Sequence, residues 1–458
     1  MIQPLRPYQR EAAQAVMESV LGRLGLTFSV EISRQGGKNE LSAQLEVLLL
    51  TVFMARPSNL IKCAPTFKPQ TVISMLRLRD RLDDAGFSRL RASEMGYIIR
   101  LGEARAIFLS AEDSSNVVGN TAHILLEVDE SQDVSRQKYS KEFRPMGAAT
   151  NVTTVHYGTP WDDATLLEEV KQSNLEMEKK DGRRRHFRYD WEEVARYSPE
   201  YRNYVEAERQ RLGESHPLFM TQYRLLLVHG GGGFLSAAQR AQLSGRHSRL
   251  HQPEAGKIYV AGVDLAGECP DSELLTSLHP RRDATVITIA ELTWPAELPG
   301  LPPEASLRVV EHYWFDGRPH SELYGRMVDI LGRVWGCRRV VVDATGLGQP
   351  VASFLRRSLG SRVKPFVFTA ASKSTLGYNL LAAVNTGRLK MYTADGSAEA
   401  REFWLEMELA QSHYRPNQTL AFEVESTRGH DDFLMSLALA VEAGREGLPP
   451  RVARGARE

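Results

Sequence analysis

Ser33-Arg34-Gln35-Gly36-Gly37-Lys38-Asn39-Glu40 joins a short apolar run, Phe28 to Ile32, to a stretch rich in Leu and Val from Asn39 to Ala55. A glycine-rich turn between a strand and a helix presents backbone N–H groups and the positive end of the helix dipole to an anion. Lys38 adds a point charge for β- and γ-phosphate oxygens. The string departs from G-x-x-x-x-G-K-[ST] at both ends. Ile32 stands at the first glycine position, and Asn39 stands where a Ser or Thr hydroxyl would ligate Mg²⁺. Alone, the loop is equally a glycine turn that caps a helix.

A second element shifts the balance. Ile124-Leu125-Leu126-Glu127-Val128-Asp129-Glu130 is an apolar strand ending in two acids, which puts Asp129 on a Mg²⁺ shell and Glu130 where a base polarises the attacking water. Both elements, in this order and each at the C-terminal end of its strand, predict an ATPase with Gln35, Gly36, Gly37, Lys38 and Asn39 around the phosphates. Tyr8-Gln9 suits adenine by stacking and amide hydrogen bonds, or simply opens a surface helix. Gly158-Thr159-Pro160 ends another strand, where a hydroxyl can sense the γ-phosphate or merely form a turn. Ala64-Pro65-Thr66 contacts DNA or braces the sheet.

A separate set of acids lies further along. Asp264 follows the apolar strand YVAGV, Asp343 follows VVV, and Asp431-Asp432 open the final helix. Acids at two strand ends and a helix start are how RNase H-like nucleases gather carboxylates around two divalent metals, about 4 Å apart, for in-line phosphodiester displacement. Asp431 and Asp432 diverge by about 100° on a helix. Asp432 is the preferred ligand, with Asp431 close behind it or acting as an N-cap. Carboxylates accept Mg²⁺ or Mn²⁺ alike. Glu268, Asp271 and Asp283 are weaker candidates, and Lys373 holds a DNA phosphate or is a solvated loop lysine.

The elements that must position these groups follow from the pattern. Apolar runs at Phe28 to Ile32, Leu60 to Ala64, Ala106 to Leu109, Ile124 to Val128 and Val152 to Tyr157 alternate with helical stretches, which implies a parallel sheet covered on both faces. From Asp162 to Leu227 the sequence reads as helical, charged and Arg-rich. Gly230-Gly231-Gly232-Gly233 reads as a hinge. Beyond it, Lys257 to Val263, Ala284 to Leu292, Ser306 to Tyr313 and Arg339 to Asp343 predict a mixed sheet, with a last Ala/Leu helix from Asp432 to Ala443. The expected organisation is a P-loop ATPase domain over 1–165, a helical subdomain over 166–229 and a hinge over 230–250. An RNase H-like domain over 251–445 and a basic tail over 446–458 complete it.

Composition bounds the rest. The 458 residues allow about three domains at most, taking ~150 per domain. Fifty-seven basic residues balance 57 acidic ones, so polyanion binding must come from a local basic groove. Cys63, Cys269 and Cys337 are isolated, which excludes a disulfide framework or a CxxC zinc site. The opening MIQPLRPYQREAAQ has no apolar signal core. The longest greasy stretch, Leu45 to Ala55, is broken by Glu46 and is shorter than the ~18 residues that suggest a span. A soluble intracellular protein without membrane contact is expected.

SRQGGKNE, APT, NVVGNTA before ILLEVDESQD, YGTPW, GVDLAGE, VVVDATG and GHDDFLMSLALA together resemble the large terminase subunit of tailed bacteriophages and prophages. They occur in family order from Leu5 to about Ala443. The resemblance implies an ATP- and Mg²⁺-dependent motor that pumps double-stranded DNA into a procapsid, and a nuclease that cuts concatemers. It implies a portal, a small terminase subunit, and a ring of copies on the portal (or a monomer in solution) in the host bacterial cytoplasm. It also gives Arg34 a role at the phosphates and Thr159 one in coupling hydrolysis to movement. Asn39 leaves the Mg²⁺ shell one hydroxyl short. The expected trans-acting arginine is absent from Asn116 to Gly119, which leaves Arg100, Arg105, Arg136 and Arg144 as candidates. The alternatives are a repair or restriction helicase-nuclease, which needs a second RecA-like domain, and a nucleotide-gated DNA clamp in which only the nuclease turns over.

Overall fold

The computed structural model describes residues 4–228, 232–265, 284–294, 304–316, 320–346, 348–415 and 417–445. Glu268, Cys269, Asp271, Asp283, the first half of the glycine run and the basic tail lie outside them. The chain divides into two compact units, Met1–Glu206 with Pro217–His229, and Ala207–His216 with Gly230–Glu458.

The first unit is built on one eight-stranded sheet. Its strands are β1 (Thr27–Ile32), β2 (Ser58–Ala64), β3 (Arg91–Glu94), β4 (Ile98–Leu101), β5 (Ala104–Ser110), β6 (Leu125–Val128), β7 (Thr153–Gly158) and β8 (His186–Tyr189). They lie in the order β3-β4-β5-β2-β6-β7-β1-β8. From β5 to β8 every pairing is parallel, whereas β3 and β4 add antiparallel edges. The central strands are buried nearly end to end, as a sheet covered on both faces requires. All the parallel strands end on one side, so the turns after the neighbours β6, β7 and β1 lie side by side.

Two sequence expectations are corrected here. The segment after Asp162 is not wholly helical, because β8 pairs parallel with β1. Its alternation, with Phe187 and Tyr189 buried and Arg188 exposed, is a half-buried edge pattern too short to stand out among charged neighbours. The sheet also gains two antiparallel strands that the pattern did not give, the polar β3 (RASE) and the short apolar β4 (IIRL). On β1 itself, Glu31 is fully buried and neither carboxylate oxygen accepts a hydrogen bond. Its nearest cation is Lys171, 3.6 Å away, which also pairs with Glu168 at 2.8 Å.

The second unit holds β9 (Gly232–Gly233), β10 (Ile258–Asp264), β11 (Ala284–Thr293), β12 (Ser306–Asp316), β13 (Arg339–Asp343), β14 (Val363–Phe366), β15 (Leu389–Lys390), β16 (Gln411–Tyr414) and β17 (Leu420–Glu423). A six-stranded mixed sheet runs β14-β13-β10-β11-β12-β15, and a small sheet runs β17-β16-β9. The antiparallel run β10-β11-β12 beside parallel β13 is the mixed arrangement expected. The glycine run differs from a free hinge in its described half. Gly232 and Gly233 pair with β16, and the Phe234 ring stacks on Phe422 at 4.7 Å, so apolar burial ties the segment down.

The last helix, Asp432–Arg445, lies against β10, β11 and β13, and every residue from Phe433 to Val441 is buried. Gly262 on β10 makes that possible. A Cβ there would sit 2.0 Å from Ser436 O and 2.3 Å from Ala440 N. Only a glycine lets the helix backbone come this close to the strand. No described helix is long and apolar enough to cross a membrane.

Candidate functional site

The loop after β1 is shaped by two left-handed residues, Gln35 (φ 62°) and Gly37 (φ 92°), before the helix Lys38–Phe53 begins. Glycine suits the second position because it carries no Cβ penalty there. The helix is held to the sheet by Leu41, Leu45 and Leu49, all buried at i, i+4 spacing. Tyr8 and Gln9 grip the loop from the first helix. The Tyr8 hydroxyl donates to Gly36 O at 2.6 Å, and Gln9 Nε2 donates to Gly37 O at 2.9 Å while its Oε1 accepts from Arg6 N. Both side chains are buried, so they belong to the loop's scaffold rather than to a surface helix start. Arg34 is exposed and donates to Gln222 Oε1, and Asn39 is half-buried in the helix's first turn.

Facing the loop, Asp129 and Glu130 follow β6. Glu130 takes a left-handed conformation (φ 46°), which a non-glycine residue adopts only when its surroundings compel it. Lys38 forms an ion pair with Glu130 Oε1 and lies 3.4 Å from Asp129 Oδ1. Burial pushes Asp129 up, but Lys38 and Lys62 outweigh it and hold the carboxyl below its ordinary range. Burial likewise lowers Lys38, and the two acids outweigh that and raise it. Lys38 and Asp129 therefore form a charged pair. Such an ammonium is positioned to exchange its carboxylate partners for phosphate oxygens.

Thr159 follows β7, with its amide donating to Gln132 Oε1 at 3.3 Å. Gln132 lies two residues beyond Glu130, and its Nε2 donates to Glu130 Oε2 at 2.8 Å. Sequence reasoning passed over Gln132, and its only signal was a polar side chain just past the acidic pair. A second overlooked group lies beneath the loop's helix. Lys62 on β2 donates to Glu46 at 2.8 Å and Ser42 at 2.6 Å, and Ser42 hydrogen bonds Glu127 at 3.0 Å. Burial drives Glu127 well above the carboxylate range. Of the candidate arginines, Arg100 pairs with Glu94 and Arg136 with Glu169.

A cavity of about 590 Å³ opens beside Tyr8, lined among others by Pro7, Tyr189, Asp190, Arg196 and Tyr197. The Tyr8 ring packs on Tyr189 at 5.1 Å and on Tyr197 at 5.8 Å. An aromatic-walled space with a polar rim, beside the phosphate-type loop that Tyr8 grips, has the size and chemistry for a planar heterocycle.

In the second unit the acids gather as the topology dictates. Parallel register pairs Val263 with Val342, which brings Asp264 and Asp343 to the same edge on adjacent strands. The Gly262 contact delivers the N-terminus of the last helix to that edge, where Asp432 Oδ2 accepts from Ala284 N at 3.0 Å. Asp431 lies 3.9 Å from Lys373 Nζ. Burial, then the charges of Asp432, Asp343, Asp431 and Glu406, raise Asp264 well above the carboxylate range. Glu406 was missed because it sits within an amphipathic helical run. It is buried and accepts from Leu434 N at 2.9 Å, and burial with its acidic neighbours pushes it up to about 10. Among the described residues, no three His, Cys, Asp or Glu side chains are arranged to hold a metal ion as they stand. The mutual repulsion at Asp264 is nonetheless the strain that a bound cation relieves, so the donor set fits a divalent metal chemically.

Several solved structures of one phage protein resemble this one. The large terminase of a thermophilic bacteriophage, in complex with ADP, matches at a TM-score of 0.54 with 12% identity, covering 97% of this chain and 100% of that one. The same phage's large terminase in another crystal form matches at 0.53 with 13% identity, over 96% and 99%. The chain shares the large-terminase fold. Both units take part in that match, since it spans nearly the whole chain, and the parallel-rich sheet followed by a mixed sheet is the fold class expected. That phage protein has also been solved with ATP-γ-S, a form matching at 0.50 with 13% identity over 96% and 99%. No family model matches the sequence. No curated protein matches it.

Proposed function

We propose that the chain is the large subunit of a phage-type DNA-packaging terminase, an ATP-driven double-stranded DNA translocase joined to a metal-dependent endonuclease. The observation that carries this reading is the pairing of two separate charged centres within one large-terminase fold. One is the Lys38–Asp129–Glu130 triplet, and the other is the Asp264–Asp343–Asp432 edge.

At the first centre, the amides of the Gln35–Lys38 turn receive the phosphates of ATP, and Lys38 moves from Glu130 and Asp129 to the β/γ oxygens. Asp129 holds Mg²⁺, without the hydroxyl that Asn39 replaces. Glu130, once freed from Lys38, takes the proton of the water that attacks the γ-phosphorus as the bond to the β-phosphate oxygen breaks and ADP leaves. The base enters the cavity beside Tyr8, Tyr189 and Tyr197. Arg34, Gly36, Gly37 and Gln9 shape the phosphate end, and Thr159 lies where a change at Glu130 reaches the strand after it.

At the second centre, Asp264, Asp343 and Asp432, with Asp431 beside them, hold divalent cations of the Mg²⁺ or Mn²⁺ class. When bound, the metals supply an activated water and neutralise the leaving 3′ oxygen as the P–O bond breaks. Lys373 is placed for a DNA phosphate. The antiparallel β10-β11-β12 core argues against a second RecA-like domain and so against a helicase-nuclease. DNA, a portal, a small subunit, a ring of copies and a bacterial cytoplasm belong to this proposal.

The test is digestion of supercoiled plasmid with Mg²⁺ or Mn²⁺ by the native chain and by Asp343→Ala. Cleavage that disappears in the variant is the expected result. Cleavage retained by Asp343→Ala removes the acid edge from the reaction and with it the nuclease half of the proposal.

A further inference from the structure

Glu130 is held by both of its oxygens. Lys38 takes Oε1, and Gln132 Nε2 takes Oε2 at 2.8 Å. The other end of the same amide, Gln132 Oε1, receives the Thr159 N–H at 3.3 Å. Gln132 is itself buried. One side chain thus spans the two neighbouring strand ends, from the acid after β6 to the first residue after β7. The residue before Thr159 leaves room for it. A Cβ on Gly158 would lie 2.2 Å from Gln132 Oε1 and 2.8 Å from Leu167 Cδ2. Gly158 is in the strand and does not need positive φ, so the space for Gln132 is the physical reason for glycine there.

The two tethers on Glu130 are unequal in what nucleotide binding does to them. Lys38 is the group that phosphates attract, so its hold on Glu130 ends when ATP is bound. The Gln132 amide is neutral and buried, and phosphate offers it no better partner. We propose that Gln132 is the positioning residue for Glu130: it alone keeps the carboxylate aimed once Lys38 has moved to the phosphates, and it carries any shift of that carboxylate to the Thr159 amide. This rests on the reading of Glu130 as the base of an ATPase. It adds that the alignment of that base is built from Gln132 and the space at Gly158.

Three variants of the full chain test it. Gln132→Leu removes, at similar volume, the amide's hydrogen bonds to Glu130 and Thr159 and a third to its neighbour Asp133. Gln132→Glu keeps an acceptor for Thr159 N but sets a second carboxylate against Glu130. Gly158→Ala displaces the amide without altering either partner. For each, a fluorescent ATP analogue measures binding and steady-state phosphate release measures turnover. The expected result is a Kd within about twofold of native and a kcat lower by about 10- to 100-fold, with KM little changed, in all three. A residue with only a structural role would move binding and turnover together. Native kcat in Gln132→Leu or in Gly158→Ala overturns the proposal, as does a loss confined to binding. If the native chain itself binds no ATP analogue, the ATPase reading falls and takes this proposal with it, a failure distinct from the others because it precedes any variant.

Discussion

Gly262→Ala tests how the acid edge of the second unit is assembled, because it alters no acid. The added methyl would lie 2.0 Å from Ser436 O, 2.3 Å from Ala440 N and 2.8 Å from Leu439 C. All three are backbone atoms of one buried helix, so no side chain can rotate away. Reaching ordinary contact at 3.4 Å from 2.0 Å means parting strand and helix by about 1.4 Å. Overpacking of this kind costs about 1–3 kcal/mol, which the second unit can bear while remaining folded. The helix that moves begins at Asp432, one turn before Ser436, so the carboxylate is carried away from Asp264 and Asp343. A misplacement near 1 Å at a reacting centre costs on the order of 100-fold in rate. The assay is plasmid nicking with Mg²⁺ or Mn²⁺, with ATP hydrolysis measured on the same preparation as a control for the first unit. Nicking should fall by about two orders of magnitude while hydrolysis stays at its native rate. Native nicking by a folded Gly262→Ala protein would refute the claim that the close approach of helix and strand sets the metal-binding geometry.

Two further outcomes concern the first unit. Burial lifts Glu31 from the ordinary carboxylate value of 4.5 to about 7, with Lys171 only partly offsetting it. The folded state therefore keeps a proton that the unfolded chain gives up, and stability falls as pH rises from about 4.5 through 7. Glu31→Gln removes that loss, so urea unfolding should show the variant more stable than native at pH 8, by up to about 3 kcal/mol, with little difference near pH 4; a variant less stable at pH 8 would contradict this account. Tyr8→Phe deletes the 2.6 Å hydrogen bond to Gly36 O and should weaken binding of a fluorescent ATP analogue by about fivefold, the equivalent of ~1 kcal/mol. An unchanged Kd would mean that the loop's shape does not depend on Tyr8.

Much of this architecture is legible in the sequence, and the physical reason differs from element to element. Strands buried on both faces, such as β10 and β13, announce themselves as apolar runs, and the residues at their ends carry the charges that chemistry needs. Strand β8 is hidden because a four-residue edge strand presents only two buried positions, Phe187 and Tyr189, inside an Arg-rich stretch. The glycine run reads as slack, yet the aromatic side chain just after it finds Phe422, a partner nearly 190 residues away that local composition cannot reveal. The strand-end acids are legible from those apolar runs. Gln132 and Glu406 are not, since their importance comes from hydrogen bonds across neighbouring elements rather than from any motif. Tyr8 reads in the sequence either as an adenine-stacking residue or as a surface helix start, and its buried contact with Gly36 is visible only in the tertiary structure.

The acid edge also has an order of assembly written into the chain. Asp264 and Asp432 are 168 positions apart, yet the second sits on a helix whose burial completes the core around the first. At roughly 5–20 residues per second, a ribosome that has just made Asp264 needs about ten to thirty seconds to reach that helix. Throughout that interval β10 ends in an acid with no partner from the last helix. A nascent chain therefore carries the whole phosphate-type loop and its sheet long before it possesses a closed acid edge. During synthesis, the first charged centre is complete before the second can form.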